Sequence, residues 1–372
     1  MSEKSTSRLA SLDALRGLLM VLMALDHASH FVGQQQSSGE YWGGPFPTYD
    51  AALPFLIRWI THLCAPGFFL LMGAGISLFA QARAPRGWGW RELARHFCLR
   101  GGALVALELL VVNPGWRLSP GGWSTQLYVG VLTALGLAMA VCGLLTRLAP
   151  GVLVTLSIAI AVATDLAMPA PAQWGQSYSI VVRPLLIPGG TRTLWANYPM
   201  LPWLSVALLG MAFGRWLHED RARAFHRAVA VGLGFLAAFV VLRALDGFGN
   251  LRPRAGTTWI DWLNVVKYPP SITYLLLTLG LDLLLLGGLA RVSDWRPHAL
   301  RFLETYGRVP LFFYVTHLFV YAAMGHLLTP KGTDLGTMAG LWLVGLLVQF
   351  GPCLLYARLR HHPRWPPVLR YL

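Results

Sequence analysis

Apolar residues along this chain come in long runs, not in the short alternation of half-buried strands or the regular three-and-four spacing of surface helices. Ten stretches stand out, near 12–33, 52–80, 93–113, 124–147, 149–168, 199–217, 226–246, 270–290, 304–328 and 337–358. Each approaches the roughly 20 residues a helix needs to cross a bilayer. Only a Leu-Ala-Pro-Gly connection around Pro150 separates the fourth from the fifth, which predicts a tight helical hairpin. Pro66 in HLCAPGF predicts a kink in the second run, and YPPS at Tyr268 to Ser271 a helix start. The pattern predicts an all-α fold, a polytopic membrane bundle of about ten transmembrane helices, as one domain over 1–372. No internal repeat or inverted symmetry of the transporter kind is visible.

Composition excludes a water-soluble globule. Of the 372 residues 55% are hydrophobic and 12% charged, and the mean hydropathy is +0.52. Soluble domains carry roughly twice that share of charge. Cys64, Cys98, Cys142 and Cys353 are scattered through apolar stretches and read as small packing residues. The first run lacks a small-residue cleavage site, so it is expected to stay as the first span.

Most of the 30 lysines and arginines fall at alternate span ends: the N-terminal segment, 81–100, 147, 214–227, 290–308 and the basic tail 359–372. The positive-inside rule then puts both termini in the cytoplasm, and the inner membrane of a bacterium is the expected location. This asymmetry, with attraction to anionic headgroups, accounts for the net charge of +14 without nucleic acid. The opposite loops are rich in Trp, Tyr, Pro and Gly, as in GEYWGGPFPTYD and NPGWRLSPGGW. Much of this is an interfacial aromatic belt; loops of such length also serve to cap a cavity and contact a polar acceptor.

Against this background the ionisable residues inside the runs are conspicuous. Asp26 and His30 share a helix face, with His27 beside them, about 16 Å beyond Arg16 along the first helix. Arg58 and His62 are spaced i,i+4 in the second run, Glu108 lies near the outer end of the third, and Gln126 starts the fourth. The ninth carries Tyr314 and His317. A charge at the centre of a span costs a few kcal/mol or more, so these groups are expected to face the bundle interior or a water-filled cavity. Their common depth points to a reaction centre or an ion path. No ligand spacing such as HExxH occurs, and no metal is expected. Asp282, at mid-depth in LGLDLLLL, has no partner in this scheme.

Six stretches then carry a family likeness: SLDALRGLLMVLMALDH, FLIRWITHLCAPGFFLLMGAGISLF, ALELLVVNPGW, YPMLPWLSVALLGMAFGRW, VVKYPPSITYLLLTLG and YGRVPLFFYVTHLFV. Together, over about 8–330, they resemble the bacterial membrane proteins related to heparan-α-glucosaminide N-acetyltransferase, within the wider set of transmembrane acyltransferases. The resemblance implies transfer of an acyl group, typically acetyl from cytoplasmic acetyl-CoA, to an acceptor reached from the other face. It is also compatible with a homodimer, and the sequence leaves the oligomeric state open. More distant membrane acyltransferases are similar in their first helix, with Arg-Gly followed by a histidine eleven residues after the arginine. Arg16 to His27 matches that spacing and points to His27 as the base. The chain departs from the heparan enzyme where that enzyme has an essential histidine before an Asp-x-x-x-Pro motif. Here His62 takes the place of that aspartate, and no histidine lies between Phe31 and His62.

For such chemistry the expected assignments are His27 as base and Asp26 or Glu108 as the carboxylate that orients it. Adjacent helix residues point about 100° apart, which favours Glu108. Arg58, His62 or Tyr314 would donate to the oxyanion. His30, Gln126, Lys267, Tyr268 and His317 are candidate substrate-binding residues, and Arg16, Arg95 and Arg100 candidate ligands for the phosphates of CoA. Arg183, Arg192, Arg252, Arg254 and Lys267 suggest a glycan or lipid-linked glycan acceptor, acidic in character. The competing reading is a proton-coupled transporter that uses the same buried Asp, Glu and His.

Overall fold

The computed structural model describes residues 10–35, 40–45, 47–49, 51–124, 126–296, 298–360 and 362. Most of the predicted basic tail lies outside the described residues. Twelve helices organise the fold: α1 (Ala10–Ala28), α2 (Ala52–Ile60), α3 (Cys64–Arg83), α4 (Trp90–Leu107), α5 (Val131–Leu144), α6 (Pro150–Ala167), α7 (Met200–Glu219), α8 (Arg221–Leu245), α9 (Ile272–Trp295), α10 (Arg301–Gly307), α11 (Pro310–Leu328) and α12 (Leu335–Leu359). Among the described residues nine helical segments are long and apolar enough to cross a membrane, so the chain is an all-α polytopic membrane bundle.

The fourth predicted span, 124–147, is the exception. α5 has only 14 residues, about 21 Å of helix against a hydrocarbon core of about 30 Å. The reason lies in the preceding residues. The Asn113 side chain donates to Tyr128 O at 2.8 Å and accepts from Tyr128 N at 2.8 Å, which holds the backbone extended. Residues Leu127–Val129 therefore form a strand, β1, that pairs in parallel with β3 (Leu194–Ala196); β3 pairs antiparallel with β2 (Gly189–Gly190).

α1 runs through the centre of the bundle with most of its residues buried. It meets α10 backbone to backbone, since a Cβ on Gly17 would stand 1.8 Å from Leu303 O and one on Gly307 1.8 Å from Asp13 O. In lipid, where apolar burial gives no drive for helices to associate, such close approach supplies the packing that does.

The predicted kink at Pro66 is present as a 3₁₀ turn, Thr61–Leu63, between α2 and α3. Proline has no N–H to return to the carbonyl four residues earlier, which is that of His62. The Tyr274 hydroxyl on α9 donates to His62 O at 2.8 Å instead. Two wider π-type turns, Ser29–Gly33 after α1 and Glu108–Val112 after α4, flank the same region of the bundle.

Candidate active site

His27 and His317 form the centre of the site. His27 Nδ1 lies 2.5 Å from His317 Nε2. The ring planes are within 11° and the centroids 4.8 Å apart, so the imidazoles lie edge to edge in nearly one plane, joined by an in-plane hydrogen bond. His317 Nδ1 is 3.0 Å from Phe313 O. A carbonyl only accepts, so His317 Nδ1 carries hydrogen, and in the neutral pair His317 Nε2 must accept from His27 Nδ1–H. His27 Nε2 is thereby left with its lone pair and without a partner among the described residues. The edge of Trp116, 4.9 Å between centroids, packs against the His27 ring.

Four cavities converge here. One of 660 Å³ is walled by the loops: Tyr41, Trp123, Tyr128, Trp195, Asn197 and Tyr268 line it together with Asp26, His27, Glu40 and Trp116. A second, of 420 Å³, reaches Asp26, His27 and Arg58 past His30, Gln34 and Tyr49. Both meet a neck of only 50 Å³ lined by His27, Cys64, Tyr128, Tyr198, Lys267 and Tyr314. Beyond it, sharing Phe68, Val131 and Tyr314 with the neck, an apolar cavity of 160 Å³ extends to Arg16. His27 lines the two large cavities and the neck alike.

A charge network braces one wall. Arg58 donates through Nε and Nη2 to the two carboxylate oxygens of Glu40, at 2.7 and 2.5 Å, and through Nη1 to Asp26. His62 Nε2 lies 2.9 Å from Glu40 Oε1. Burial alone would raise the Glu40 carboxyl, but Arg58 and His62 beside it hold it well below the usual carboxylate range. Glu40 is 2% exposed, and its own carbonyl accepts from the backbone N–H of Lys267 and Tyr268, which ties the two loops together.

This network corrects several sequence expectations. Glu108 does not orient His27; it is fully buried and accepts from the N–H of Thr133 at 3.0 Å, holding the otherwise unsatisfied start of α5. Asp26 is paired with Arg58, not with the neighbouring histidine. The residue that orients His27 is another histidine, His317. Arg58 and His62, expected as oxyanion donors, are bound to Glu40, and His62 lines none of the four cavities. Tyr314 does line the neck, and its hydroxyl makes no hydrogen bond among the described residues. Gln126 lines the largest cavity with its amide committed to Thr191 O and Ser124. His30 lines the second with Nε2 unpartnered, and Tyr268 lines the largest, its hydroxyl 3.4 Å from that of Tyr198.

The basic loop residues also separate. Arg183 bonds Pro188 O, Arg252 bonds Tyr41 O, and Arg254 pairs with Asp246. These three and Arg192 line none of the four cavities, so the case for an acidic acceptor built on them falls. Lys267 alone of that set faces the site. Arg16 lines the apolar cavity while bonding Asp13 and Gly307 O, whereas Arg95 and Arg100 line none of the four. Asp282 stays an orphan: it is fully buried, with neither oxygen partnered among the described residues.

Glu40 is the residue sequence reasoning missed. It sits in a loop, where charge is ordinary, and only its position in an otherwise acid-free aromatic segment, GEYWGGPF, set it apart.

The fold and site define a helical membrane bundle with a histidine pair where its cavities meet. The comparison with known families goes further: the family described as heparan-alpha-glucosaminide N-acetyltransferase, catalytic, matches residues 8–242, and the chain belongs to that family. Over 141 residues it is 28% identical to heparan-alpha-glucosaminide N-acetyltransferase of Mus musculus, covering 38% of this chain and 19% of the relative. The Homo sapiens protein of the same name is 28% identical over 138 residues, 37% of this chain and 19% of its own length. The matched segment thus spans about a fifth of these relatives.

Proposed function

We propose that this protein is a membrane acetyltransferase that moves an acetyl group from cytoplasmic acetyl-CoA to a hydroxyl or amine of a glycan or glycolipid presented on the opposite face. The observation that carries this is the His27–His317 pair, which leaves one unpartnered imidazole nitrogen where the cavities meet. With the arginine-rich ends in the cytoplasm, the apolar cavity beside Arg16 suits the pantetheine arm of the donor, and the aromatic-walled cavity suits a sugar acceptor. Arg16 is the best placed of the candidate phosphate ligands, because it alone of the three lines the donor-side cavity.

The base would act as follows. As the acceptor attacks the thioester carbonyl, His27 Nε2 takes its proton, and His317 keeps the ring in the tautomer that can do so. When the C–S bond breaks, the imidazolium returns that proton to the leaving thiolate. For a hydroxyl, or an amine that enters already neutral, no net proton is produced; an amine arriving as its ammonium gives up one proton before it attacks.

Acetyl-CoA turnover by detergent-purified protein, with and without envelope glycans, tests the proposal beside His27→Ala. CoA release that requires the glycan fraction and vanishes in the variant supports it. Folded protein that neither binds nor consumes acetyl-CoA sinks it.

A further inference from the structure

Lys267 is 3% exposed, yet its ammonium has neither an ion pair nor a hydrogen bond among the described residues. The nearest support is the face of Tyr268, with Nζ 5.2 Å from the ring centroid. Glu40 and Asp26 both bond Arg58, so neither carboxylate touches Lys267 directly, although Lys267 supplies the second positive charge that balances the two. Burying an ammonium without a hydrogen-bond partner is costly. Such a group is retained where negative charge arrives during function.

The volume of the neck narrows what that charge is. Lys267 shares the neck with His27, Cys64, Thr61, Tyr128, Tyr198 and Tyr314. At 50 Å³ the neck holds an acetyl-sized group or a few waters, not a sugar ring bearing a carboxylate or phosphate. Most other polar groups on its wall are already bonded: Cys64 Sγ to Leu19 O, Thr61 to Arg58 O, and the Tyr198 hydroxyl to that of Tyr268. Lys267, Tyr314, the unpartnered indole N–H of Trp116 and the Tyr128 hydroxyl, which only accepts from Asn197 among the described residues, remain, and of these Lys267 alone carries a charge. Lys267 lines this neck together with His27, which also lines both large cavities.

We infer that Lys267 is a further catalytic residue, whose ammonium stabilises the oxyanion formed on the thioester carbonyl while the acetyl group occupies the neck. This rests on the acetyltransferase reading above. The acceptor's lone pair forms the new bond to the carbonyl carbon, the C=O π pair moves onto oxygen facing Lys267, and the acceptor proton goes to His27 Nε2. Collapse restores C=O, expels the CoA thiolate, and returns the proton to it. Acetyl-CoA and acceptor thus give acetylated acceptor and CoA, with no further reactant. An ammonium fixed in place before the reaction needs no reorganisation as the charge develops, which is what gives such groups their effect.

Steady-state kinetics of wild type, Lys267→Met, Lys267→Gln and Lys267→Arg, with acetyl-CoA and an acceptor varied in turn, test the assignment. The two neutral variants are expected to lower kcat about 100- to 1,000-fold with both KM values close to wild type, while Lys267→Arg recovers part of the loss. Acetyl-CoA affinity of the variants should stay near wild type, and melting temperature checks that each is folded at the assay temperature; Gln serves if Met does not fold. Neutral variants with wild-type kcat overturn the assignment. So does a raised acceptor KM with kcat intact, which would make Lys267 a binding group for an acceptor anion. A wild-type protein that consumes no acetyl-CoA overturns the acetyltransferase reading itself, which sets that failure apart from the failure of Lys267.

Discussion

His317, on α11, lies in hydrogen-bond contact with His27, at the end of α1, although 290 residues separate them in sequence. The Phe313 carbonyl fixes one end of this relay, and the open Nε2 of His27 is the other.

Replacing His317 with Phe should leave the cavity filled and the His27 tautomer unspecified. We expect kcat to fall about 100- to 10,000-fold, the range associated with a positioned general base, while acetyl-CoA affinity is kept. Stopped-assay CoA release beside calorimetric donor binding measures both. An unchanged kcat would mean that His27 is not oriented through this bond.

Glu40 should make stability depend on pH. Its folded-state carboxyl lies well below the ordinary 4.5, so its contribution is complete above pH 4.5 and is lost as pH falls through the lower folded value. Wild-type melting temperature in detergent should therefore drop on acidification below pH 4.5. Glu40→Gln should start about 3 kcal/mol less stable at neutral pH, because Arg58 loses its bidentate partner, and should show a shallower acid slope. Parallel slopes would remove Glu40 from the account.

Tyr274→Phe removes the hydroxyl that satisfies His62 O where Pro66 cannot. A buried carbonyl left without a donor costs about 1–3 kcal/mol, and thermal melting should register it. A variant as stable as wild type would mean that another donor reaches that carbonyl.

Glu108→Ala separates a structural carboxylate from a catalytic one. With the N–H of Thr133 no longer met, the protein should lose about 1–3 kcal/mol of stability, while kcat per folded molecule changes little. A collapse of kcat in a protein of wild-type melting temperature would restore Glu108 to the reaction.

How much of this was legible beforehand differs between fold and site. Span positions were readable because a bilayer imposes one length and one polarity on every crossing, and α5 escaped only because Asn113 holds the chain ahead of it extended. His27 was readable from its depth and its spacing from Arg16. Its partner was not, because which helix faces which is set by close approaches such as Gly17 against Leu303, and run length carries no trace of them. Glu108 and His62 illustrate the same limit. Burial of an ionisable group could be foreseen, whereas the choice between a reacting atom and a backbone N–H is made by tertiary packing. The loop basics misled for a related reason: arginines on a surface loop look available, yet Arg183 is bonded to its own loop's Pro188 carbonyl and Arg252 to the Tyr41 carbonyl of another loop.

The 50 Å³ neck has one more consequence, for the membrane and not for the chemistry. Cavities that approach each other from opposite ends of a bundle would together short-circuit the proton gradient if water ran continuously between them. Here the narrowest point coincides with a fixed positive charge, Lys267, and with the ring of Tyr314, and a cation entering from either end meets both. The residues proposed to hold the acetyl group would thus keep the bilayer insulating, so widening the neck should raise ion leakage.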